Sequence, residues 1–598
     1  MLNTILKFSI QWRLLIIVLC CLLIGLGVYS ALQLPIDAVP DITTNQVQIN
    51  TVAPAFAPEE IEKYITFPIE VAMSSLPKKE EIRSISQFGL SQVTVIFDDN
   101  VDIYWARQLV LEKLLEAERE LPSGVSPEMA PVSTGLGEIY QFTVETDEQS
   151  PTKYSPMELR TILDWQIKPQ LRTVPGVIEV NSFGGMEKQY EVLVDPNKLL
   201  TYNITLREVI ESLERNNINA GGAYLEKSGE QQLIRGVGLI RDVGDIENIV
   251  VASLHGKPIH INDVAKVGLG SQVRQGAATR DGKGETVMGI TMLLKGENSR
   301  TVTQSVRERL EKVQQTLPPG VKINPFYDRT ELVNKTVNTA ATNLLEGGFL
   351  VILVLFLFLL QLKAGLVVSS VIPLAMLCAI IGMKQFGISA NLMSLGAIDF
   401  GLIVDGAVVI VENIIRRLAN ERKRLDRRLT QPERMNMIHA ATTEVYKPAF
   451  FGMLIIISAY IPILTLVGIE GKMFRPMAFT VIFALLGAVL LNVTLIPSLC
   501  AYFLKEPKKG HTHPVLDRLI LAYESLLRQV IRHRYRTVGV VLIFVLISGA
   551  LFFTLGSEFI PELDEGAIAI NHARLKSCSL SESIRQTTLM ENALKQFP

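Results

Sequence analysis

The chain has 598 residues, of which 48% are hydrophobic and 20% are charged, and its mean hydropathy is +0.29. The chain is more hydrophobic and less charged than an average globular protein, as membrane proteins are. A net charge of −2 gives no reason to expect a nucleic-acid or acidic partner. The five cysteines show no CxxC spacing, so neither a disulfide framework nor a zinc ribbon is predicted.

Seven apolar runs are long enough, at about 17–25 residues each, to cross a membrane as helices. They cover residues 13–32, 343–361, 365–383, 391–413, 448–468, 476–503 and 538–556. The first run follows Lys7 and Arg13 as a signal peptide would. Its apolar core is about twice the usual length of such a peptide, so we predict a retained anchor.

Two basic loops predict the orientation of these spans. Lysine and arginine are concentrated between the fourth and fifth runs and again between the sixth and seventh. By the positive-inside rule both loops are cytoplasmic, which places the N-terminus inside and residues 35–335 outside. A nucleic-acid patch is the alternative interpretation, but orientation explains the charges without a further ligand.

The external region alternates short strands with amphipathic helices. A β-α-β-β-α-β order, typical of a split βαβ sandwich, is predicted by strands at 47–52, 82–87, 92–97 and near Val132 and by helices at 58–75 and 101–121. The order recurs in strands at 139–144, 177–183, 188–194, 232–239 and 287–294 and in helices after Ser155, at 206–215 and at 301–317. We therefore predict two α+β units of one plan, with an insertion at about 220–275.

Three carboxylates interrupt the fourth apolar run, where residues 399–413 read DFGLIVDGAVVIVEN. An acid near the centre of a membrane helix costs about 2.5–3.5 kcal/mol, so Asp399, Asp405 and Glu412 are expected to face a polar interior. On a straight helix Asp405 and Glu412 lie on nearly one face, with Asp399 rotated by about 120°. Such stacked carboxylates suit a proton or cation relay. A soluble helix is the alternative, and the uncharged flanks argue against it.

An ion gradient is the energy source that the sequence favours. It contains no G-x-x-x-x-G-K-[ST] phosphate loop, so nothing supports ATP as the driver. No HExxH or GxSxG motif is present either. We expect protonation of Asp405 to change helix packing, because small residues such as Gly396, Gly401, Gly406 and Ala407 allow close approach.

The chain repeats its own beginning from about residue 520. Trp12-Arg13, a span and LPIDAVPDITTNQVQIN are echoed by Tyr535-Arg536, a span and GSEFIPELDEGAIAIN. We therefore expect a duplicated transporter, of which the chain carries about the first 60% and ends inside a second external domain. Repeated halves with a site between them are common in secondary transporters.

The sequence resembles the inner-membrane pump of the resistance-nodulation-division superfamily, in its heavy-metal efflux branch of cobalt–zinc–cadmium type. The resemblance lies in LPIDAVPDIT, in GLGEIYQFTV from Gly135, in the fourth-span motif and in EFIPELDEG from Glu558. It assigns Asp399, Asp405 and Glu412 as proton-relay acids of a secondary transporter that is not an enzyme. It implies no cofactor, the divalent metal ion being the substrate.

The resemblance also implies a fold and partners. The expected fold class is a membrane α-helical bundle, with seven spans here and about twelve in a complete chain, joined to large periplasmic α+β ferredoxin-like porter subdomains. A homotrimer is implied, together with a periplasmic adaptor (membrane fusion) protein and an outer-membrane channel. The predicted domains are a first segment with its helix (1–34), a porter and docking domain (35–335), spans two to six (336–505), a cytoplasmic amphipathic linker (506–537), the seventh span (538–557) and the start of a second periplasmic domain (558–598).

Within that branch the residues favour a divalent metal of the Zn, Co, Cd and Ni class. Copper and silver pumps of the family place a methionine shortly after the second EFxPExxEG-like stretch, where this chain has Asn571. Soft Cu(I) and Ag(I) prefer thioether and thiolate ligands, whereas the divalent ions accept imidazole and carboxylate. Glu138 and His572 are candidate ligands, with an exposed strand end and a solvated imidazole as the alternatives.

Two other functions stay open. The same fold exports drugs and amphiphiles, for which the family signal is two adjacent aspartates in this span; here Asp399 and Asp405 are separated. The chain is alternatively an inactive or split-gene half that needs a complementing chain.

Overall fold

A computed structural model describes residues 2–37, 40–135, 137–147, 149–254, 256–274, 276–359, 361–504, 514–556, 567–575 and 577–597. The chain divides into two units. Unit 1 comprises Met1–Ser126 and Glu331–Asn571, and unit 2 comprises Pro127–Thr330 and His572–Pro598. The EFIPELDEG stretch of the predicted second external domain lies outside the described residues.

The strands, in chain order, are β1 (Asn45–Val52), β2 (Lys79–Gln87), β3 (Leu90–Phe97), β4 (Pro127–Met129), β5 (Glu138–Thr146), β6 (Val177–Phe183), β7 (Lys188–Val194), β8 (Ala220–Lys227), β9 (Glu230–Gly236), β10 (Val250–Leu254), β11 (Lys257–His260), β12 (Ala265–Ser271), β13 (Ala278–Thr279), β14 (Glu285–Leu293) and β15 (Val321–Asp328).

The helices up to residue 314 are α1 (Leu2–Gln11), α2 (Arg13–Gln33), α3 (Pro58–Ile61), α4 (Phe67–Ser74), α5 (Ile103–Ala117), α6 (Pro156–Ile162), α7 (Lys168–Leu171), α8 (Pro196–Tyr202), α9 (Leu206–Arg215), α10 (Val243–Glu247), α11 (Ile261–Val264) and α12 (Ser299–Gln314). Those that follow are α13 (Arg329–Leu359), α14 (Leu362–Ser369), α15 (Val371–Gln385), α16 (Leu392–Gly396), α17 (Phe400–Leu425), α18 (Gln431–Leu464), α19 (Gly468–Phe503), α20 (Pro514–Arg532), α21 (Arg534–Phe552) and α22 (Leu580–Leu594).

Within the described ranges, seven helical stretches are long and apolar enough to cross a membrane, which is the number of spans that the sequence predicts. They are Arg13–Gln33, Arg329–Phe356, Leu362–Gln385, Met393–Leu425, Gln431–Leu464, Gly468–Phe503 and Arg534–Phe552. Several of them extend past the predicted spans with polar ends, since α13 begins at Arg329, α17 continues to Leu425 and α18 begins at Gln431. Hydropathy alone does not find such ends.

The membrane helices of unit 1 pack through small residues, with α19 in contact with α15, α17 and α18. Ala375, Ala407 and Ala488 are fully buried in this core. A Cβ added at Gly487 would lie only 2.6 Å from the Cβ of Cys378. This close backbone approach is the packing that membrane helices use in place of the hydrophobic effect.

The first α+β layer also belongs to unit 1. Strands β2, β3 and β1 are adjacent and antiparallel, with Val47 opposite Val95 and Ile49 opposite Val93. Helices α3 to α5 follow the predicted order, and the side chain of Asp102 caps α5 by accepting a hydrogen bond from the Trp105 N–H at 2.8 Å. The last predicted strand is β4, which lies slightly before Val132 and falls in unit 2 rather than unit 1.

The main sheet of unit 2 is antiparallel and centres on β14, which pairs with β5, β6 and β13, while β15 pairs with β5. Its core contains the fully buried side chains of Phe142, Val144 and Leu163. Helix α6 begins, as predicted, after Ser155, whose N–H and hydroxyl both donate to Glu158. These two bonds lower the pKa of Glu158.

The insertion predicted at about 220–275 contains more strands than the sequence showed. Hairpin β8–β9 is exposed along its whole length, and β9 ends at Gly236 rather than at 239. Strand β12 returns to pair with β7, with Ala265 opposite Val194. Helix α9 has the predicted bounds.

Candidate functional site

Asp399 lies before α17 rather than within it. Its backbone is extended, with φ −90° and ψ 113°, and its carboxylate accepts a hydrogen bond from the Gly401 N–H at 2.8 Å. The straight helix predicted through residues 391–413 is therefore wrong, because α16 ends at Gly396 and α17 begins at Phe400. As an N-cap, Asp399 satisfies one of the N–H groups that every helix leaves free at its start.

Asp405 and Glu412 lie on one face of α17, as predicted. Both are exposed and Val409 between them is 43% exposed, whereas Ile403 and Ala407 are buried. The carboxylates thus point away from the helices that pack against α17. Because a carboxylate in hydrocarbon is costly, we expect this face to meet water or polar groups in the membrane.

Behind Asp405, α17 approaches α19 closely. A Cβ added at Gly406 would lie 2.5 Å from Nδ2 of Asn492 and 3.2 Å from the sulfur of Met453. Asn492 is 2% exposed, and among the described residues its Oδ1 has no hydrogen-bond partner. The predicted close approach is thus made at Gly406, whereas a Cβ at Gly396 would meet no described atom within 4 Å.

Polar contacts next to Glu412 join α17 to α18. The buried Asn413 donates from Nδ2 to the carbonyl oxygen of Ala441 at 2.8 Å and to the carboxylate of Glu444 at 3.2 Å. Glu444 also accepts two hydrogen bonds from Arg417, at 3.0 and 2.8 Å. Sequence reasoning missed Asn413 and Asn492, although an amide inside an apolar run was the available signal.

The opposite end of α19 is tied to the first α+β layer of unit 1. The ammonium group of Lys472 lies 2.6 Å from Oδ1 of Asp99 and donates to the carbonyl oxygen of Thr43 at 2.9 Å. Both partners flank strands of the β2-β3-β1 sheet. Lys472 therefore fixes the N-terminal end of α19 to this sheet.

The two candidate metal ligands, Glu138 and His572, both lie in unit 2. Glu138 is the exposed first residue of β5 and accepts a hydrogen bond from Nε2 of Gln141 at 2.6 Å. His572 is exposed outside any helix or strand. In the part of the chain that the structure describes, no group of three or more His, Cys, Asp or Glu side chains is placed to hold a metal ion. Their metal role stays a prediction.

A cavity of about 480 Å³ in unit 2 contains several carboxylates that are already paired. Glu145 lies 3.0 Å from Arg280, and Asp147 lies 3.0 Å from Lys322. The hydrogen bond from Lys322 lowers the pKa of Asp147. Because these charges are balanced within the protein, the cavity is a poor site for a divalent ion.

Comparison with known proteins assigns this architecture. Residues 5–598 match the AcrB/AcrD/AcrF family. The chain belongs to that family. It is 50% identical over 599 residues to protein HelA of Legionella pneumophila and 48% identical over 603 residues to the cobalt-zinc-cadmium resistance protein CzcA of Cupriavidus metallidurans, covering 100% of this chain and 57% of each relative.

The chain is also similar to a solved structure, the X-ray crystal structure of a heavy metal efflux pump, with a TM-score of 0.84 and 36% sequence identity. The match covers 100% of this chain and 56% of that one, so the chain spans a little over half the length of the proteins it resembles. The predicted fold class, a membrane helical bundle with strand-rich porter domains, is confirmed. The family match and the long apolar helices together indicate that the chain is a membrane protein.

For this AcrB/AcrD/AcrF family member we expect Asp399→Ala to destabilise the protein by about 0.5–2 kcal/mol, because the cap on α17 is lost. Asp399→Asn should be close to neutral, since asparagine caps equally well. Thermal unfolding of the purified protein measures both. Glu412→Ala, an acid-to-alanine change on the exposed face of the same helix, is the control. If the asparagine variant loses as much stability as the alanine variant, the cap is not the contribution of Asp399.

Proposed function

We propose that the protein carrying this chain exports divalent heavy-metal ions of the Zn, Co, Cd and Ni class in exchange for protons. The observation that carries the proposal is the pair Asp405 and Glu412, two turns apart on the exposed face of a membrane helix. Acids at this depth are costly and are retained where ions move. The relatives named for cobalt, zinc and cadmium resistance and for heavy-metal efflux supply the substrate class.

In this proposal Asp405 is the group that takes up and releases the proton. A protonated Asp405 carries no charge, so α17 can then occupy surroundings that the ionised form avoids. The Gly406–Asn492 contact lies directly behind Asp405, which makes the α17–α19 packing the first to respond. In the proposed proton path, Asp399 is the first acid, at the start of α17, and Glu412 is the last, two turns beyond Asp405.

We further propose that the N-terminus is cytoplasmic, that residues 35–335 are periplasmic and that the protein lies in the inner membrane. The basic residues Arg422, Lys423 and Arg424 in the last turn of α17 support this orientation. Family membership supports assembly as a homotrimer with a periplasmic adaptor and an outer-membrane channel. The metal is the substrate of this assembly, and no resident cofactor is proposed.

The metal class is tested by deleting the chromosomal gene and restoring it. Restoration is expected to raise tolerance to zinc, cobalt, nickel or cadmium and to add little for silver, because Asn571 offers no soft sulfur ligand. Growth across metal concentrations is the measurement, and a gene copy with Asp405→Asn controls for expression burden. A gain for silver equal to or above that for zinc would overturn the metal class and leave the fold untouched. A gain for cationic dyes alone would favour the drug exporter.

A further inference from the structure

A basic cavity lies in unit 1 between α1 and the first turns of α18. Its volume is about 500 Å³, and it is lined by Lys7, Arg13 and His439 together with three amides and three apolar side chains. Among the described residues that line it, none carries a carboxylate. The start of α18 also faces the cavity through Gln431, and the N-terminus of a helix favours negative charge.

The positive charges of this cavity are not neutralised by the described part of the protein. Lys7 and Arg13 form no ion pair there, and the guanidinium of Arg13 rests 4.4 Å from the ring centroid of Tyr502. The Nε2 atom of His439 is buried and has no hydrogen-bond partner among the described residues. Glu433, the acidic residue that follows the lining residue Pro432 in sequence, forms an ion pair with Arg427 at 2.7 Å. The cavity therefore presents unpaired donors to an anion.

The same cavity lies at the ends of candidate membrane spans. Arg13 is the first residue of α2, and Tyr502 is next to the last residue of α19. Phe8 and Trp12, the sequence neighbours of the lining residues Lys7 and Arg13, are 44% and 60% exposed and stack with ring centroids 6.4 Å apart. Exposed aromatic rings next to basic side chains are typical of the membrane–water interface.

We propose that this cavity binds the phosphate of an anionic phospholipid. Basic pockets between membrane helices on the cytoplasmic side recognise such head groups. A volume of about 500 Å³ is within the range of small-molecule sites. A free phosphate offers the same charge, but the exposed rings of Phe8 and Trp12 and the apolar lining residues Ile10 and Met435 give an acyl chain and glycerol a surface that a free ion does not need.

The test compares lipids on the purified protein by native mass spectrometry. The protein is titrated with phosphatidylglycerol or with phosphatidylcholine, each with and without excess inorganic phosphate. The wild type should retain phosphatidylglycerol in preference to phosphatidylcholine, and phosphate should not displace it. In Lys7→Gln/Arg13→Gln the affinity for phosphatidylglycerol should fall about 25-fold, since each basic side chain near a membrane surface contributes about fivefold.

The control variant Lys423→Gln/Arg428→Gln also removes one lysine and one arginine, but from exposed positions outside the cavity. It should change the affinity for phosphatidylglycerol less than twofold. Equal retention of both lipids by the wild type would overturn the proposal. This comparison uses no variant, so it is valid even if the Lys7/Arg13 variant fails to fold. Displacement by inorganic phosphate would assign the cavity to a free ion instead of a lipid. An equal loss in the control, or none in the Lys7/Arg13 variant, would show that this cavity is not the binding site.

Discussion

Replacing Asp405 by asparagine is expected to reduce metal resistance to the level of cells that lack the gene. The amide has nearly the size of the carboxylate and is less costly in a membrane, so insertion should be intact. It cannot take up and release a proton at neutral pH, so a proton-driven cycle would stop. The measurement is growth in zinc, with the amount of protein in the membrane fraction determined in parallel.

Glu412→Gln is the matched comparison for Asp405→Asn. It makes the same chemical change on the same face of α17, about two turns nearer the basic end of the helix. That end lies close to the predicted cytoplasmic boundary, where water can replace the missing carboxylate. We expect a smaller loss of resistance than for Asp405→Asn. Wild-type resistance in Asp405→Asn cells at normal expression would remove Asp405 from the relay.

The second large effect is expected at Gly406. In Gly406→Ala the new Cβ would lie 2.5 Å from Nδ2 of Asn492, so either the buried Asn492 side chain must shift or α17 and α19 must separate. Overpacking of this kind costs about 1–3 kcal/mol. Because the contact lies behind Asp405, we expect both a lower unfolding temperature and a lower rate of export. Thermal unfolding and metal uptake into everted membrane vesicles measure the two effects.

Gly396→Ala is the control for this change, since its Cβ would meet no described atom within 4 Å. It should leave stability and export nearly unchanged. Combining Gly406→Ala with Asn492→Ala, which shortens the opposing side chain, should recover part of the lost stability, as expected for residues in contact. If Gly406→Ala behaves like Gly396→Ala, the two helices are not closely packed at this level.

The spans were readable from the sequence because an apolar run long enough to cross a bilayer is a strong local signal. The shared face of Asp405 and Glu412 was readable for a similar reason, since helical periodicity fixes it within one element. Asp399 was placed inside a helix by periodicity, whereas its carboxylate accepts a hydrogen bond from the Gly401 N–H and caps the start of α17. Periodicity carries no information about such a cap.

Contacts between distant elements could not be derived in this way. Asn492 matters because it packs on Gly406, and Lys472 because it reaches Asp99, yet neither pairing leaves a local pattern in the sequence. In unit 2 the predicted strands β5, β6 and β14 exist, but the sequence did not show that β14 lies between the other two. Their order is set by long-range pairing rather than by local propensity.

Zinc-driven proton release from everted membrane vesicles tests the central claim most directly. Vesicles from cells expressing the protein are acidified inside by respiration, and a pH-sensitive dye reports the gradient. If the protein exchanges a divalent metal for protons, adding zinc should dissipate part of the gradient and load zinc into the vesicles, and Asp405→Asn vesicles should show neither effect. Zinc accumulation that persists after an uncoupler removes the gradient, or that is unchanged in Asp405→Asn, would contradict proton-coupled export through this helix.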